Sequence, residues 1–188
     1  EESVAERFVE AFVAITQKLV VGDPFAPAST IGSMARRNLR DELHAQVVAS
    51  VGEGAKLLTG GNPIEGPGAF YQPTVLDHVL PAMTVAREET FGPAAAIIRV
   101  KSVDEAIAVA NGTPFGLGAS LWTRDMERAR LLTHQIDCGA VFVNGMVASD
   151  PRLPFGGTKQ SGYGRELGYL GLHEFTNIKT VWTGPAKT

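Results

Sequence analysis

The chain has 188 residues, of which 44% are hydrophobic and 20% are charged, so it can bury the core of one ordinary soluble domain. Seventeen basic and twenty acidic residues give a net charge of −3, and no run of Lys and Arg reaches four residues, which excludes nucleic acid as the partner. No apolar run approaches the ~20 residues of a membrane span and the first residues do not resemble a signal peptide, so we expect a cytoplasmic protein without a membrane partner.

The first predicted element is an amphipathic helix. Ser3 and Glu6 have the spacing of a capping box, and apolar residues follow at intervals of three or four: Val4, Phe8, Phe12, Ile15 and Leu19. This apolar face needs a partner surface. Because the helix opens the chain with no strand before it, we expect a domain that lacks its first segment.

A second helix is predicted to begin at Met34 and to end at Gly52 and Gly54, with four residues on its apolar face: Leu39, Leu43, Val47 and Val51. Residues 55–59 read as a short strand. Residues 70–76 are predicted to form an edge strand, because Pro73 has no N–H to donate to a central ladder.

Strands and helices alternate from residue 94 onward. Apolar runs at 94–100, 117–122 and 139–143 predict strands, Ser102 and Glu105 cap one intervening helix, and Thr123 or Asp125 begins the other. This order favours parallel pairing with right-handed crossovers, and hence an α/β fold with a parallel sheet.

The end of the chain changes pattern. Residues 166–175 are weakly helical, whereas residues 176–183 alternate with period two and place Ile178, Thr180 and Trp182 on one face. We expect a strand here that pairs with another subunit or with a distant sheet.

Residues 144–166 follow the strand at 139–143, and open α/β sheets bind ligands beyond the carboxyl ends of their strands. The segment contains five glycines and two prolines but few large apolar side chains, a composition suited to covering a site. A plain surface loop is the alternative.

Other chemistry has little support. The only cysteine, Cys138, excludes an internal disulfide framework, and it lies beside Asp137 at a helix-to-strand turn, where a carboxylate disfavours a reactive thiolate. We interpret it as structural. The four histidines are far apart and show no metal-ligand spacing, so no metal site is expected.

Residues 88–93, Glu-Glu-Thr-Phe-Gly-Pro, place carboxylates beside a flat apolar ring at a turn that enters a strand. This combination suits a sugar hydroxyl and a stacked ring. A solvated acidic turn is the alternative interpretation.

Four motifs together resemble the C-terminal part of the aldehyde dehydrogenase superfamily, in family order over the whole chain. They are residues 88–93, the Phe-Gly-Leu-Gly-Ala-Ser run at 115–120, the strand that ends at Asn144, and residues 154–166. The segments 144–155 and 174–182 are most similar to succinate-semialdehyde dehydrogenases.

The resemblance implies a dehydrogenase that uses NAD or NADP and an aldehyde substrate. It implies that Glu89 holds the ribose hydroxyls on the nicotinamide side of the cofactor and that Phe91 packs near the nicotinamide ring. Asn144 would shape the neighbourhood of the oxyanion site, Ser149 would face the distal carboxylate of the substrate, and Phe155 would line the entrance. These two groups of residues are expected to meet at one cleft, and the strand after residue 176 would build a homo-oligomer.

The chain departs from the family pattern in its chemistry. The family nucleophile lies in a Gly-Gln-x-Cys motif and the general base in a Glu-Leu-Gly-Gly motif, and neither occurs here. We therefore assign no catalytic residue. We expect a truncated catalytic domain at 1–175, an oligomerisation strand and tail at 176–188, and no activity of this chain alone. A non-catalytic binding or assembly module derived from the domain is the alternative.

Overall fold

The computed structural model describes residues 1–186, and the chain divides into two units after Gly112. The first unit contains four helices and five strands in the order α1 (Glu2–Thr16), α2 (Arg37–Gly52), β1 (Lys56–Thr59), β2 (Pro63–Ile64), β3 (Phe70–Tyr71), β4 (Thr74–Asp77), α3 (Thr84–Arg87), β5 (Ala94–Ala96) and α4 (Val103–Asn111).

The main sheet of the first unit has the order β1-β4-β5, with β4 antiparallel to β1 and parallel to β5. The fold is thus mixed α/β, and its first sheet is not purely parallel. The prediction of one edge strand at 70–76 was wrong, since Pro73 separates β3 from β4 and β4 is the buried central strand. Proline is tolerated because it lies between the two strands, where no ladder donor is required.

The core of the first unit lies between α2 and the sheet. Leu43 and Val47 of α2 are buried, as the helical periodicity predicted, and they pack with Tyr71, Leu76 and other residues: Ala55, Val79, Met83 and Val85. The phenol oxygen of Tyr71 lies 3.1 Å from Nδ1 of His44, and burial raises the pKa of Tyr71 to about 12. The second helix therefore anchors this unit.

The start of α1 differs from the predicted capping box. The helix begins at Glu2, so Ser3 lies inside it, and Glu6 accepts a hydrogen bond of 2.5 Å from Nη1 of Arg99 instead of capping the helix. The N–H of Glu2 donates to the carbonyl oxygen of Val100, which satisfies one free donor of the first turn. The predicted apolar face is largely exposed, with Phe8 at 54%.

The cap of α4 is confirmed. Oγ of Ser102 accepts a hydrogen bond of 3.1 Å from the N–H of Glu105, and the Glu105 carboxylate accepts one from the N–H of Lys101. The strand before this helix is shorter than the predicted 94–100, because its ladder with β4 ends at Ala96.

The second unit contains β6 (Phe115–Gly116), β7 (Gly118–Leu121), α5 (Met126–Thr133), β8 (Ala140–Val143), β9 (Thr158–Lys159) and α6 (Gly168–Glu174). The predicted strand–helix–strand order holds here, because β7 and β8 pair in parallel and α5 connects them. Asp125 caps α5 by accepting a hydrogen bond from the N–H of Arg128, and Ala129 and Leu132 are buried as expected.

The C-terminal segment forms no strand in the structure. Residues 176–183 are assigned no strand, and the side chains of Ile178, Val181 and Trp182 are 77–83% exposed. A strand needs a partner for its backbone N–H and C=O groups, and none of the described residues 1–186 pairs with this segment. Residues 187 and 188 of the predicted tail lie outside the described residues.

Candidate functional site

The acidic turn at residues 88–93 lies in the first unit, between α3 and β5. Glu89 is exposed there, and the ring of Phe91 is 62% exposed. The carbonyl oxygen of Glu89 accepts a hydrogen bond of 3.2 Å from Nε2 of Gln46, which also donates to the carboxylate of Glu88. The turn therefore offers a carboxylate and a flat ring to solvent while α2 holds its backbone.

Gly92 and Pro93 fix the other end of the turn. A Cβ atom at Gly92 would lie 2.5 Å from Cδ2 of Leu43, so a larger residue would displace the packing of the core. The carbonyl oxygen of Pro93 accepts a hydrogen bond of 2.8 Å from the N–H of Thr74. A carboxylate can accept hydrogen bonds from sugar hydroxyls and an exposed ring can pack on a flat heterocycle, and the binding of a nicotinamide nucleoside at this turn stays a prediction.

An apolar groove of about 270 Å³ borders the turn within the first unit. Its lining includes Gly92 and Pro93 together with residues from α1 and the following connection: Phe12, Thr16, Leu19 and Ile31. The C-terminal part of α1, the connection that follows it and residues 92–93 of the acidic turn therefore line one groove of this unit.

Asn144 lies in the second unit, immediately after β8, and joins the ends of the two parallel strands. Its Oδ1 accepts a hydrogen bond from the N–H of Thr123, and its Nδ2 donates to the carbonyl oxygen of Thr123, each at 2.9 Å. Its φ of 53° lies in the left-handed region, which asparagine tolerates better than most residues. Both ends of the amide are therefore engaged by the loop that leaves β7.

The segment after Asn144 carries an exposed serine and an ion pair. Ser149 is exposed. Arg152 donates from Nε and Nη2 to the two oxygens of Asp150, at 2.9 and 2.6 Å, and its own N–H donates to Oδ1. These hydrogen bonds from the Arg152 side chain and backbone lower the pKa of Asp150. The Nε–Nη2 edge of the Arg152 guanidinium is thus paired with Asp150.

Phe155 opens a loop that Glu166 closes. The N–H of Phe155 donates to the carbonyl oxygen of Glu166 at 2.7 Å, and the N–H of Glu166 donates back at 2.8 Å. Between them, β9 pairs antiparallel with β6. This part of the segment therefore has backbone pairing of its own, and the plain surface loop stays the alternative interpretation of residues 144–166.

Glycines let this loop approach the strands closely. A Cβ atom at Gly139 would overlap the carbonyl oxygen of Gly156, so the backbone needs glycine there. Arg165 stabilises the backbone of the loop itself, because its Nη1 donates to the carbonyl oxygens of Gly157 and Gly164 at 2.7 and 2.8 Å. Nη1 also donates to the carbonyl oxygen of Tyr163 at 3.3 Å, so one guanidinium nitrogen contacts three backbone carbonyl groups of this glycine-rich segment.

The loop borders an open, shallow cavity of about 420 Å³ in the second unit. Its lining includes Phe155, Leu117 and Ser161, and two aromatic residues that are at least 93% exposed, Tyr163 and Phe175. Oγ of Ser161 accepts a hydrogen bond of 3.1 Å from the N–H of Gly116. The cavity therefore has an apolar wall, at which Phe155 lies, and a polar side whose serine already has a backbone partner.

The residues implied by the resemblance thus fall into two groups. Glu89 and Phe91 share one turn of the first unit, whereas Asn144, Ser149 and Phe155 follow one another in the second. That both groups face a single ligand stays a prediction. Sequence reasoning missed Gln46 and Thr123, because their partners are 42 and 21 residues away and no local pattern marks them.

Cys138 is partly buried, and its thiol donates to the carbonyl oxygen of Ala140 at 3.1 Å. This bond within a helix-to-strand turn fits a structural residue. Among residues 1–186, no group of three or more His, Cys, Asp or Glu side chains is arranged to hold a metal ion. Nor is any helix of that range long and apolar enough to cross a membrane.

Comparison with known proteins gives one consistent family. The model of the aldehyde dehydrogenase family matches residues 1–181. Succinate semialdehyde dehydrogenase [NAD(P)+] Sad of Escherichia coli strain K12 is 50% identical over 182 residues, which are 97% of this chain and 39% of the relative. A probable succinate-semialdehyde dehydrogenase [NADP(+)] of Synechocystis is 47% identical over 97% of this chain and 40% of its own length.

Solved structures agree. Succinic semialdehyde dehydrogenase from Streptococcus pyogenes in complex with NADP+ superposes with a TM-score of 0.92 at 33% identity, over 97% of this chain and 40% of that one. Mycobacterium tuberculosis aldehyde dehydrogenase complexed with NAD+ gives 0.92 at 39% identity, over 99% and 39%. The chain spans about two fifths of the length of the relatives it matches. It belongs to the aldehyde dehydrogenase family.

Proposed function

We propose that this chain is a portion of an NAD(P)-dependent aldehyde dehydrogenase that oxidises succinate semialdehyde to succinate. The observation that carries the proposal is identity of 46–50% over nearly the whole chain to proteins named succinate-semialdehyde dehydrogenases. Because the chain spans only part of those proteins, the reaction is assigned to a longer protein that includes it.

We assign Glu89 and Phe91 to the cofactor. When bound, NAD+ or NADP+ supplies the acceptor for the hydride that leaves the aldehyde carbon. The Glu89 carboxylate would accept hydrogen bonds from the two ribose hydroxyls, and the Phe91 ring would cover one side of the nicotinamide. Their exposure in a turn with a fixed backbone supports both roles.

We assign Ser149 and Phe155 to the substrate. The exposed hydroxyl of Ser149 would donate to the distal carboxylate of succinate semialdehyde, and Phe155 would line the entrance. Asn144 would act indirectly, because its amide is engaged by Thr123 and can shape the oxyanion neighbourhood only through the position of the loop.

We also propose a homo-oligomer built through residues 176–183. Period-two apolar side chains that are exposed in the single chain support a strand that needs a second subunit. The cytoplasmic location stays a prediction.

The substrate assignment is tested with Ser149→Ala in the intact enzyme. We expect the KM for succinate semialdehyde to rise about tenfold, as for the loss of one hydrogen bond to a charged group, with a small change in kcat. Butanal, which has the same number of carbons and no carboxylate, is the matched control, and its KM should not change. An equal rise in KM for both aldehydes, or no rise for either, would contradict the assignment.

The alternative, a non-catalytic binding or assembly module, is favoured only by the missing motifs for nucleophile and base. The 188-residue chain itself should show no turnover with NAD or NADP and succinate semialdehyde. Turnover abolished by Cys138→Ala would refute this expectation. The gene decides between the two candidates, because a Gly-Gln-x-Cys motif encoded immediately upstream supports the enzyme and its absence supports the module.

A further inference from the structure

Two polar side chains of α2, and that of its C-cap residue, face the segment that leads into the acidic turn. They are Gln46, Ser50 and Glu53, which we call the α2 ladder. Their spacing of four and three residues places them on one side of the helix. All three bond to residues 84–89 of the same unit.

The lower part of the α2 ladder fixes the start of α3. The two carboxylate oxygens of Glu53 accept from the N–H and the hydroxyl of Thr84, at 2.7 and 2.9 Å, and Oγ of Ser50 accepts from the N–H of Val85 at 2.9 Å. The N-cap residue of α3, Met83, has no side-chain acceptor, so α2 caps this helix from outside. The hydrogen bond from the Thr84 N–H, and to a smaller extent that from the Thr84 hydroxyl, lowers the pKa of Glu53.

The upper part of the α2 ladder holds the turn itself. Nε2 of Gln46 lies 3.2 Å from Oε2 of Glu88 and 3.2 Å from the carbonyl oxygen of Glu89. A primary amide has two N–H donors, so one nitrogen can serve both acceptors. Gln46 thus ties a side chain and a backbone group of adjacent residues to α2.

This arrangement gives the two adjacent glutamates different tasks. Glu88 has extended backbone angles, φ −105° and ψ 153°, and in extended chain consecutive side chains point to opposite sides. The Glu88 carboxylate is bound by Gln46, and the neighbouring Glu89 is exposed, so we expect the Glu89 carboxylate to lie on the side away from α2. Glu88 is an anchor, and Glu89 is free for a ligand.

We infer that Gln46 is a positioning residue for dinucleotide binding, which holds the Glu88–Glu89 backbone so that the Glu89 carboxylate is preset for the ribose hydroxyls. This inference rests on the proposed function, which assigns Glu89 to the ribose. A preset carboxylate binds more tightly than a mobile one, because less freedom is lost on binding.

The first measurement is hydrogen exchange on the 188-residue chain. Gln46→Glu keeps the length of the side chain, removes both donors and sets a negative charge against Glu88. We expect about tenfold faster exchange of the amides of Glu88 and Gly92, which are hydrogen-bonded to Thr84 and Thr90. Gln46→Lys restores a donor and should return the wild-type rates.

Asn38→Asp is the matched control. It makes the same amide-to-acid change on the same helix, and its side chain likewise faces a glutamate, Glu42 at 3.3 Å, but it does not contact residues 84–89. Its exchange rates at Glu88 and Gly92 should equal those of the wild type. Unchanged rates in Gln46→Glu, or equal acceleration in Asn38→Asp, overturn the inference whatever the enzyme does.

The second measurement is the KM for the dinucleotide in the intact enzyme. Gln46→Glu should raise this KM about fivefold and change kcat by less than about twofold, which is the pattern of lost ground-state binding. Gln46→Lys should leave the KM unchanged. If Glu89→Gln raises this KM and Gln46→Glu does not, the inference is wrong and the proposed function stands. If the wild-type enzyme shows no dinucleotide-dependent turnover, the proposed function fails and the role of Gln46 toward ribose fails with it.

Discussion

Replacing Asp77 with asparagine should destabilise the first unit more than any exposed charge change. The Asp77 side chain is 3% exposed and accepts from Nε and Nη2 of Arg99, at 3.1 and 2.6 Å, and from the N–H of His78 at 2.7 Å. Asparagine keeps the size of the side chain. It removes the charge and turns an N–H₂ group toward a guanidinium that can only donate.

The expected cost follows from burial. Breaking a buried ion pair costs about 3–5 kcal/mol when the remaining charge is left unpaired. Arg99 is 17% exposed and keeps Glu6 as a second partner, so we take a lower figure of about 2–3 kcal/mol. With a urea m-value of about 2 kcal/mol/M, the midpoint of unfolding should fall by about 1–1.5 M.

Urea unfolding followed by far-ultraviolet circular dichroism measures this shift, because the two longest helices, α1 and α2, both belong to the first unit. Glu6→Gln is the control, since it removes the other carboxylate bound by Arg99, and this carboxylate is 83% exposed. Its midpoint should move much less. Equal shifts for Asp77→Asn and Glu6→Gln would refute the reasoning from burial.

The same pair gives a pH dependence with a defined sign. The hydrogen bonds of Arg99 lower the pKa of Asp77, so the folded carboxylate holds its proton less tightly than the unfolded one. Its contribution is complete above the unfolded pKa of about 3.9 and is lost as the pH falls through the lower folded pKa. The difference between wild type and Asp77→Asn should therefore shrink only below about pH 4. A difference that disappears at pH 6 would exclude Asp77 as its source.

Three further predictions concern the second unit. Asn144→Ala should destabilise it by about 1 kcal/mol more than Asn144→Gly, because both variants lose the hydrogen bonds to Thr123 but only alanine is strained at a left-handed φ. Unfolding followed by the fluorescence of Trp122, the neighbour of Thr123, measures the difference. Equal losses of stability would contradict the prediction. Gly139→Ala should displace the loop at Gly156 and speed tryptic cleavage after Arg165. Gly164→Ala is the control and should not, because a Cβ atom there meets nothing within 4 Å. Equal cleavage rates in the two variants would count against the close approach of Gly139 to Gly156. The 188-residue chain should self-associate at micromolar concentration, and Trp182→Ser should reduce the self-association because it removes an exposed apolar side chain. A monomeric wild-type chain in light scattering would contradict the C-terminal segment as an interface.

Local signals predicted the elements that local interactions decide. Ser102 and Asp125 cap their helices as the spacing indicated, and the run after Cys138 forms the strand that leads to Asn144. The capping box at Ser3 failed because Arg99, 93 residues from Glu6, binds that carboxylate. No pattern in the first ten residues could show this competition.

Pro73 shows the same limit for a strand. A proline inside an apolar run does predict an interruption, and the backbone is interrupted there. The error was to infer an edge strand, since β4 becomes central only through its pairing with residues 94–96, about twenty positions later. Sheet order depends on such distant pairs, so the sequence indicated the break but not the position of the strand in the sheet.

The residues that the resemblance assigns to ligands share a feature that their identity alone does not reveal. Glu89 follows Glu88, whose carboxylate is bound by Gln46, and Ser149 precedes Asp150, whose carboxylate is bound by Arg152. In each pair one side chain is used to fix the backbone and its neighbour is exposed. A carboxylate that is already bound adds rigidity without competing for the ligand, which lowers the entropy cost of binding at the next residue. Substitution of an anchor should therefore raise a KM although the anchor touches neither cofactor nor substrate.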